Sequence, residues 1–273
     1  MKRSQGYLHG FTPEEQDRLR RQARIIEDRV HEHRLPFQRA RRLLEIGCGV
    51  GAQTEILLRH FPELHVTGLD VSDTNLGRAR EFLAAQPIAP DRYDFVLGDA
   101  ARLDFPLDSF DSAFLCWILE HVSNPVLVLS EARRVLRPGA PIVVNEVQNA
   151  SLFLTPYSPN TLAYWTAFND HQFELGGDPF VGAKLGNLLQ RVGFHDIVTE
   201  VKTILLDNRA PGERSEFLAY WTDLLLSGCP GLLEAGKISV EVVDGMREEL
   251  QVVAHEPDAA FFFAFVQARA RVG

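Results

Sequence analysis

A short apolar run, Arg42-Leu43-Leu44-Glu45-Ile46, stops at Gly47-Cys48-Gly49-Val50-Gly51, and a helical pattern begins at about residue 52. Three glycines in five positions allow a sharp turn and leave its backbone bare. The helix start that follows offers free N–H groups to an anionic ligand. The alternation then repeats, with strands expected at 65–70, 93–98, 111–116 and 141–146 and helices at 73–86 and 123–136. Strands at 194–206 and 261–269 complete the set. Strands that alternate with helices build a parallel sheet covered on both faces, so the expected class is α/β.

The segments outside this pattern have different characters. Thr12-Pro13-Glu14-Glu15 reads as a cap with proline at the first helical position, and Leu19, Ala23, Ile26 and Val30 follow at helical spacing. From 147 to 180 prolines and glycines punctuate an aromatic stretch, and helices are expected at 213–227 and about 231–253. The expected organisation is a helical cap over 1–40 and one domain over 41–273. Helical insertions in that domain fall at about 147–180 and 207–258.

The net charge of −9 is unevenly spread, since 1–42 carries +5 and the remainder −14. Glutamates and aspartates interleave with the arginines of 1–42, which reads as a solvated helix face. An acidic core disfavours nucleic acid as a partner. Cys48, Cys116 and Cys229 are odd in number and far apart, so neither a disulfide framework nor a metal motif is expected, and a cytoplasmic location is. His31-Glu32-His33 does not make a metal site, because positions i and i+2 on a helix face apart. Neither a signal-peptide core after Met1 nor a membrane span is expected.

The chemistry rests on several motifs in order. Asp70 ends the second strand, where a carboxylate can accept both hydroxyls of a ribose. Gly47, Gly49 and Ala52 also fit the dinucleotide pattern, so the glycine turn and Asp70 imply an adenosine-type ligand without naming its reactive end. Gly98-Asp99-Ala100 places a carboxylate and an N–H where an adenine edge could be read. The strand at 111–116 leads into Trp117-Ile118-Leu119-Glu120-His121, and the following helix ends at Leu136-Arg137-Pro138-Gly139.

This ordered set resembles the class I S-adenosylmethionine-dependent methyltransferases, in particular a small-molecule branch that includes quinone-biosynthesis enzymes. Tyr7-Leu8-His9-Gly10-Phe11 with Glu15-Gln16 and Arg18-Leu19, plus Gly51-Ala52-Gln53-Thr54 and the phenylalanine-rich final strand, resembles a narrower microbial subgroup. The resemblance implies a doubly wound, mostly parallel, seven-stranded Rossmann-like sheet with an antiparallel final strand, and S-adenosyl-L-methionine as cofactor. Gly47, Cys48, Gly49 and Gly51 would pack against the methionine portion, with Glu45 holding the loop and Gln53 and Thr54 near the carboxylate. Asp70 would grip the ribose with Val71 beside the adenine, and Asp99 and Ala100 would read the adenine. The Cys116 carbonyl would receive the ammonium, and Trp117 would wall the pocket near the sulfonium. Ala140 departs from the family's second glycine at the Arg-Pro-Gly turn.

Methyl transfer from a sulfonium is an in-line displacement, and a base is needed only when the acceptor carries a proton. His121 and His171 are the candidates, the competing reading of each being a hydrogen-bonded structural histidine. Tyr7 would contact the cofactor from a lid. His9, Tyr157, Trp165 and His171 would contact a flat or apolar small-molecule acceptor. The expected partner is that acceptor, with no nucleic acid, in a monomer or homodimer. The rival functions are an NAD-dependent oxidoreductase and an RNA-modifying methyltransferase.

Overall fold

Five parallel strands carry the first half of the chain: β1 (Arg42–Ile46), β2 (His65–Asp70), β3 (Tyr93–Leu97), β4 (Ser112–Cys116) and β5 (Pro141–Val147). The structure is a computed structural model, and it describes residues 13–31 and 35–273. The spatial order β3-β2-β1-β4-β5 explains why β1 and β4 are buried along almost their whole length, Glu45 of β1 included: both of their faces are covered. Leu43, Phe114 and Val143 pack on one face, and Leu44, Ile46, Leu115 and Val144 on the other.

The crossover helices are α3 (Ala52–His60), α4 (Asp73–Ala84) and α5 (Pro125–Val135). Their starts are locally encoded. Ser72 Oγ accepts the Asn75 N–H at 3.3 Å, and Asn124 Oδ1 accepts the Leu127 N–H at 3.2 Å just before Pro125. From β1 the chain winds outward to β2 and β3, then returns to place β4 and β5 on the other side. The carboxyl ends of β1 and β4 therefore flank a topological switch point, where open α/β sheets bind ligands.

The second half adds antiparallel strands. β8 (Ala260–Val272) pairs with β5, setting Val144 opposite Ala268. β7 (Phe194–Leu206) forms the edge on the other side of β8. A third strand, β6 (Phe153–Thr155), pairs with the early part of β8, setting Phe153 opposite Phe262. The sheet thus has eight strands where the sequence leads to seven. β8 runs 13 residues, outreaching β5, and its surplus backbone groups are met by a segment too short to show a period.

The remaining helices are α1 (Pro13–Ile25), α2 (Glu27–Val30), α6 (Pro159–Glu174), α7 (Leu185–Arg191), α8 (Pro211–Glu234) and α9 (Val240–His255). The sequence places a break near 228–230, but α8 runs through Pro230 to Glu234. Leu225, Gly228 and Leu232 are buried along it, and that packing outweighs the one N–H that proline lacks. Arg214, fully buried in α8, donates to Ala259 O at 2.5 Å and Glu256 O at 2.8 Å, tying the end of α9 to the start of β8. None of the described helices is long and apolar enough to cross a membrane.

Candidate active site

The turn after β1 folds as its glycines demand. Gly47, Gly49 and Gly51 have φ of 77°, 53° and 76°, the left-handed region closed to most residues. The N–H groups of Gly47 and Cys48 both donate to Leu69 O, at 2.8 and 3.0 Å, so the turn is pinned across β2. A Cβ at Gly47 would lie 2.7 Å from Ile118 Cδ1, whereas one at Gly49 would meet nothing within 4 Å. Gly49 therefore leaves open space on the cavity side, a cradle that any side chain would fill.

Beneath the turn, Glu45 is buried and accepts a hydrogen bond from Thr54 Oγ1 at 2.5 Å. Burial pushes its carboxyl up to about 8, and the nearby Asp70 adds to that rise. Asp70 Oδ2 accepts the Gly49 N–H at 2.8 Å and Oδ1 the Ser72 N–H at 2.9 Å. Burial raises its carboxyl too, against the opposing effect of those hydrogen bonds. Gln53 meets His31, whose ring stacks on Phe114 with centroids 5.3 Å apart. Burial holds the His31 imidazole down at about 4.

The segment after β4 is shaped by a residue that sequence reasoning passed over. Glu146 is fully buried at the end of β5, and its carboxylate accepts the N–H groups of Ile118, Leu119 and Glu120 at 3.1, 2.7 and 3.3 Å. Burial and the charge of Glu120 push the Glu146 carboxyl well above the usual range. The visible signal was a carboxylate closing the run Ile142-Val143-Val144-Asn145-Glu146. Trp117 enters this clamped segment at φ 55°, a strained value for a bulky residue, while its N–H donates to Asn145 O at 2.9 Å. Next to it, Glu120 Oε1 lies 3.7 Å from His121 Nε2, and Gln172 donates to Glu120 Oε2 at 2.9 Å.

These elements enclose one cavity of about 350 Å³. Its polar end is lined by 47–50, Gln53, Asp70, Val71, Asp99, Ala100 and Cys116. Its other end is aromatic, with Trp165 and Phe168 from α6, Phe217, Tyr220 and Trp221 from α8, and Phe263 from β8. Trp117, Glu120 and His121 lie on the same wall. Arg18, Leu19, Gln22 and Ala23 of α1 line it as well, and Arg18 is held by Glu15 at 2.6 Å.

A family model described as a methyltransferase domain matches residues 44–144, the span from β1 through most of β5. An O-methyltransferase of Aspergillus nomiae is 30% identical over 159 residues, covering 57% of this chain and 67% of that protein. The chain belongs to the class I S-adenosylmethionine-dependent methyltransferases. The 27-O-demethylrifamycin SV methyltransferase of Amycolatopsis mediterranei is 32% identical over 138 residues, half of each protein. A sterol 24-C-methyltransferase of Gibberella zeae is 34% identical over 107 residues, 39% of this chain and 28% of that enzyme. The chain thus spans half or less of the length of those two relatives. Among solved structures, a Haemonchus contortus phosphoethanolamine N-methyltransferase superposes with a TM-score of 0.56 at 20% identity, covering 93% of this chain and 53% of that one. A [4+2]-cyclase superposes at 0.54 and 22% identity, covering 94% and 82%. These two likenesses concern the fold alone.

Within this methyltransferase the expected residues are not all brought together. Thr54 is wholly buried under the turn with Glu45, so both support the loop from below. Tyr157 is 79% exposed and borders a separate depression beside Glu249 on α9. His171 lies outside the cavity as well, its Nδ1 3.9 Å from Glu174 Oε2. On α6, Trp165 and Phe168 face the cavity, whereas His171, six residues and about 120° round the helix from Trp165, sits beside Gly231 of α8. Tyr7 and His9 lie outside the described residues. Among the described residues no cluster suits a metal ion. Trp221 and Phe217 carry no motif, and only the fold brings them to the cavity.

Proposed function

We propose that this methyltransferase uses S-adenosylmethionine to methylate a small, flat, largely apolar acceptor. The observation that carries the reading is the single cavity that joins a bare glycine turn to an aromatic box. The residues at its polar end fit the cofactor. Gly49 leaves the room for it, and the Asp70 carboxylate, fixed by two backbone N–H groups, is oriented to accept ribose hydroxyls. Asp99 and Ala100 would meet the adenine, and Cys116 and Trp117 the methionine end. When bound, the cofactor supplies a methyl group already activated on a sulfonium.

The chain's own part is alignment and exclusion of water. Glu146 fixes 118–120, so Trp117 and His121 are presented from a rigid segment. His121 lines the cavity beside Glu120, which Gln172 holds in place, and it is the group placed to take a proton from an acceptor that carries one. The aromatic walls favour an apolar ring and keep water out. An RNA acceptor is disfavoured by the −14 carried beyond residue 42.

A labelled-methyl screen tests this. Label should move from S-adenosylmethionine to apolar aromatic acceptors with little dependence on salt. Transfer to RNA, falling steeply as salt rises, would overturn the small-molecule reading.

A further inference from the structure

β7 is the outer strand of the sheet, and among the described residues it pairs only with β8. It runs 13 residues and is regular from Val198 to Leu206, beyond a bulge between His195 and Val198. An edge of that length is a template on which another strand can add through main-chain hydrogen bonds.

The two faces of β7 differ. Lys202, Ile204 and Leu206 stand opposite Phe265, Phe263 and Phe261, on the face where Phe217 and Trp221 of α8 pack. Val201, Thr203 and Leu205 alternate with them on the other face, where Val201 is 67% exposed and Leu205 52%. Such an edge invites indiscriminate pairing, and a charged side chain turned to the covered face is one way to prevent it. Lys202 is that residue. Its side chain is only 10% exposed, beside Phe265, and it donates to Glu200 at 2.8 Å. Any strand laid along this edge completes the burial of Lys202 and must bring a carboxylate opposite it.

β7 itself brings that carboxylate. In an antiparallel pair of two copies with a two-fold axis through Val201, Glu200 of each copy stands opposite Lys202 of the other. Glu200 already holds Lys202 and Arg269 within its own chain, so the pairing closes a ring of four alternating charges, Glu200 and Lys202 from each copy. On the open face Val201 meets its own copy and Thr199 meets Thr203, so exposed β-branched side chains cover one another. Moving the axis by one residue in either direction sets Glu200 or Lys202 against its own copy. Charge therefore singles out one register, and it singles out this strand's own sequence as the partner.

We propose that two copies of this chain pair antiparallel through β7 about a two-fold axis at Val201, joining their eight-stranded sheets into one.

The test is sedimentation of the chain over a dilution series in wild type, Val201→Lys and Val201→Glu. Val201 is exposed and does not line the cavity, so S-adenosylhomocysteine binding reports that each variant is folded. Wild type should sediment as two chains of 30.7 kDa each. Either variant alone sets like charges on the axis and should weaken the dimer about tenfold or more. Mixed in equal amounts, the two variants should recover it, because the axis then joins opposite charges. A wild type that stays monomeric at about 100 μM overturns the proposal. So does a dimer that both variants leave unchanged, which would place the contact on another face, and so does a mixture no tighter than its components. Should the charged variants fail to fold, Val201→Cys decides. Mild oxidation should link two chains at that position far faster than in Val198→Cys, whose two copies lie roughly 20 Å apart across the axis. Equal rates overturn the proposal.

Discussion

The two ends of the cavity are built by opposite means. The polar end is made from consecutive backbone: a glycine turn, the ends of β1 to β4, and carboxylates fixed by main-chain N–H groups. The aromatic end is assembled from side chains of α6, α8 and β8, more than 90 residues apart in places. A site made of backbone is specified by local sequence and tolerates little change. A site made of side chains on separate elements depends on tertiary packing and is free to vary in what it accepts.

That contrast can be broken by comparing stability with ligand affinity. The largest effect is expected from Arg214→Ala, far from the polar end. It strips donors from Ala259 O and Glu256 O where α9 meets β8, and should cost about 3–5 kcal/mol in denaturant unfolding. A loss below about 1 kcal/mol would mean that the aromatic insertions do not rely on this buried tie.

Asp70→Ala should act in the other currency. Loss of charged hydrogen bonds should weaken S-adenosylhomocysteine by about 1.5–3 kcal/mol in calorimetry. Unchanged affinity would refute the ribose assignment. The glycines sharpen the point within a single turn. Gly47→Ala meets Ile118 Cδ1 and a φ of 77°, so it should cost about 1–2 kcal/mol of stability. Gly49→Ala carries the same left-handed strain at φ 53° but meets no neighbour, so it should cost less stability than Gly47→Ala, about 1 kcal/mol, while its methyl fills the cradle and weakens ligand binding.

The smallest effect is one of pH. Glu45 is raised from 4.5 to about 8 on folding, so its stabilising contribution is full below 4.5 and is lost as pH climbs through 8. His31, lowered from 6.5 to about 4, contributes fully above 6.5. Between 6.5 and 8 the Glu45 slope therefore stands without that opposing change, and stability should fall by about 1.5 kcal/mol or less. Glu45→Gln should flatten that fall in urea titrations taken at several pH values, and an unaltered slope would place the titration elsewhere.

The same contrast explains what could be read from the sequence. Gly47 to Gly51, Asp70 and Asp99 were legible because each is a short pattern at a strand end, even though the turn is pinned to Leu69 and Asp70 across the sheet. β6 was not, since its three residues pair only because β8 outruns β5. The break expected near Pro230 gave way to the packing of Leu225 and Leu232. Glu146 acts across 26 to 28 residues on the backbone of 118–120, which no local pattern signals. Tyr157 and Trp165 belong to one aromatic stretch of sequence, yet α6 carries Trp165 to the cavity while Tyr157, in the loop ahead of the helix, is exposed.

The most direct measurement of the central claim is equilibrium binding of S-adenosylhomocysteine and NAD to the same chain by calorimetry. The account predicts that S-adenosylhomocysteine binds and that Asp70→Ala weakens it, with NAD weaker by at least an order of magnitude. Tighter binding of NAD would contradict it.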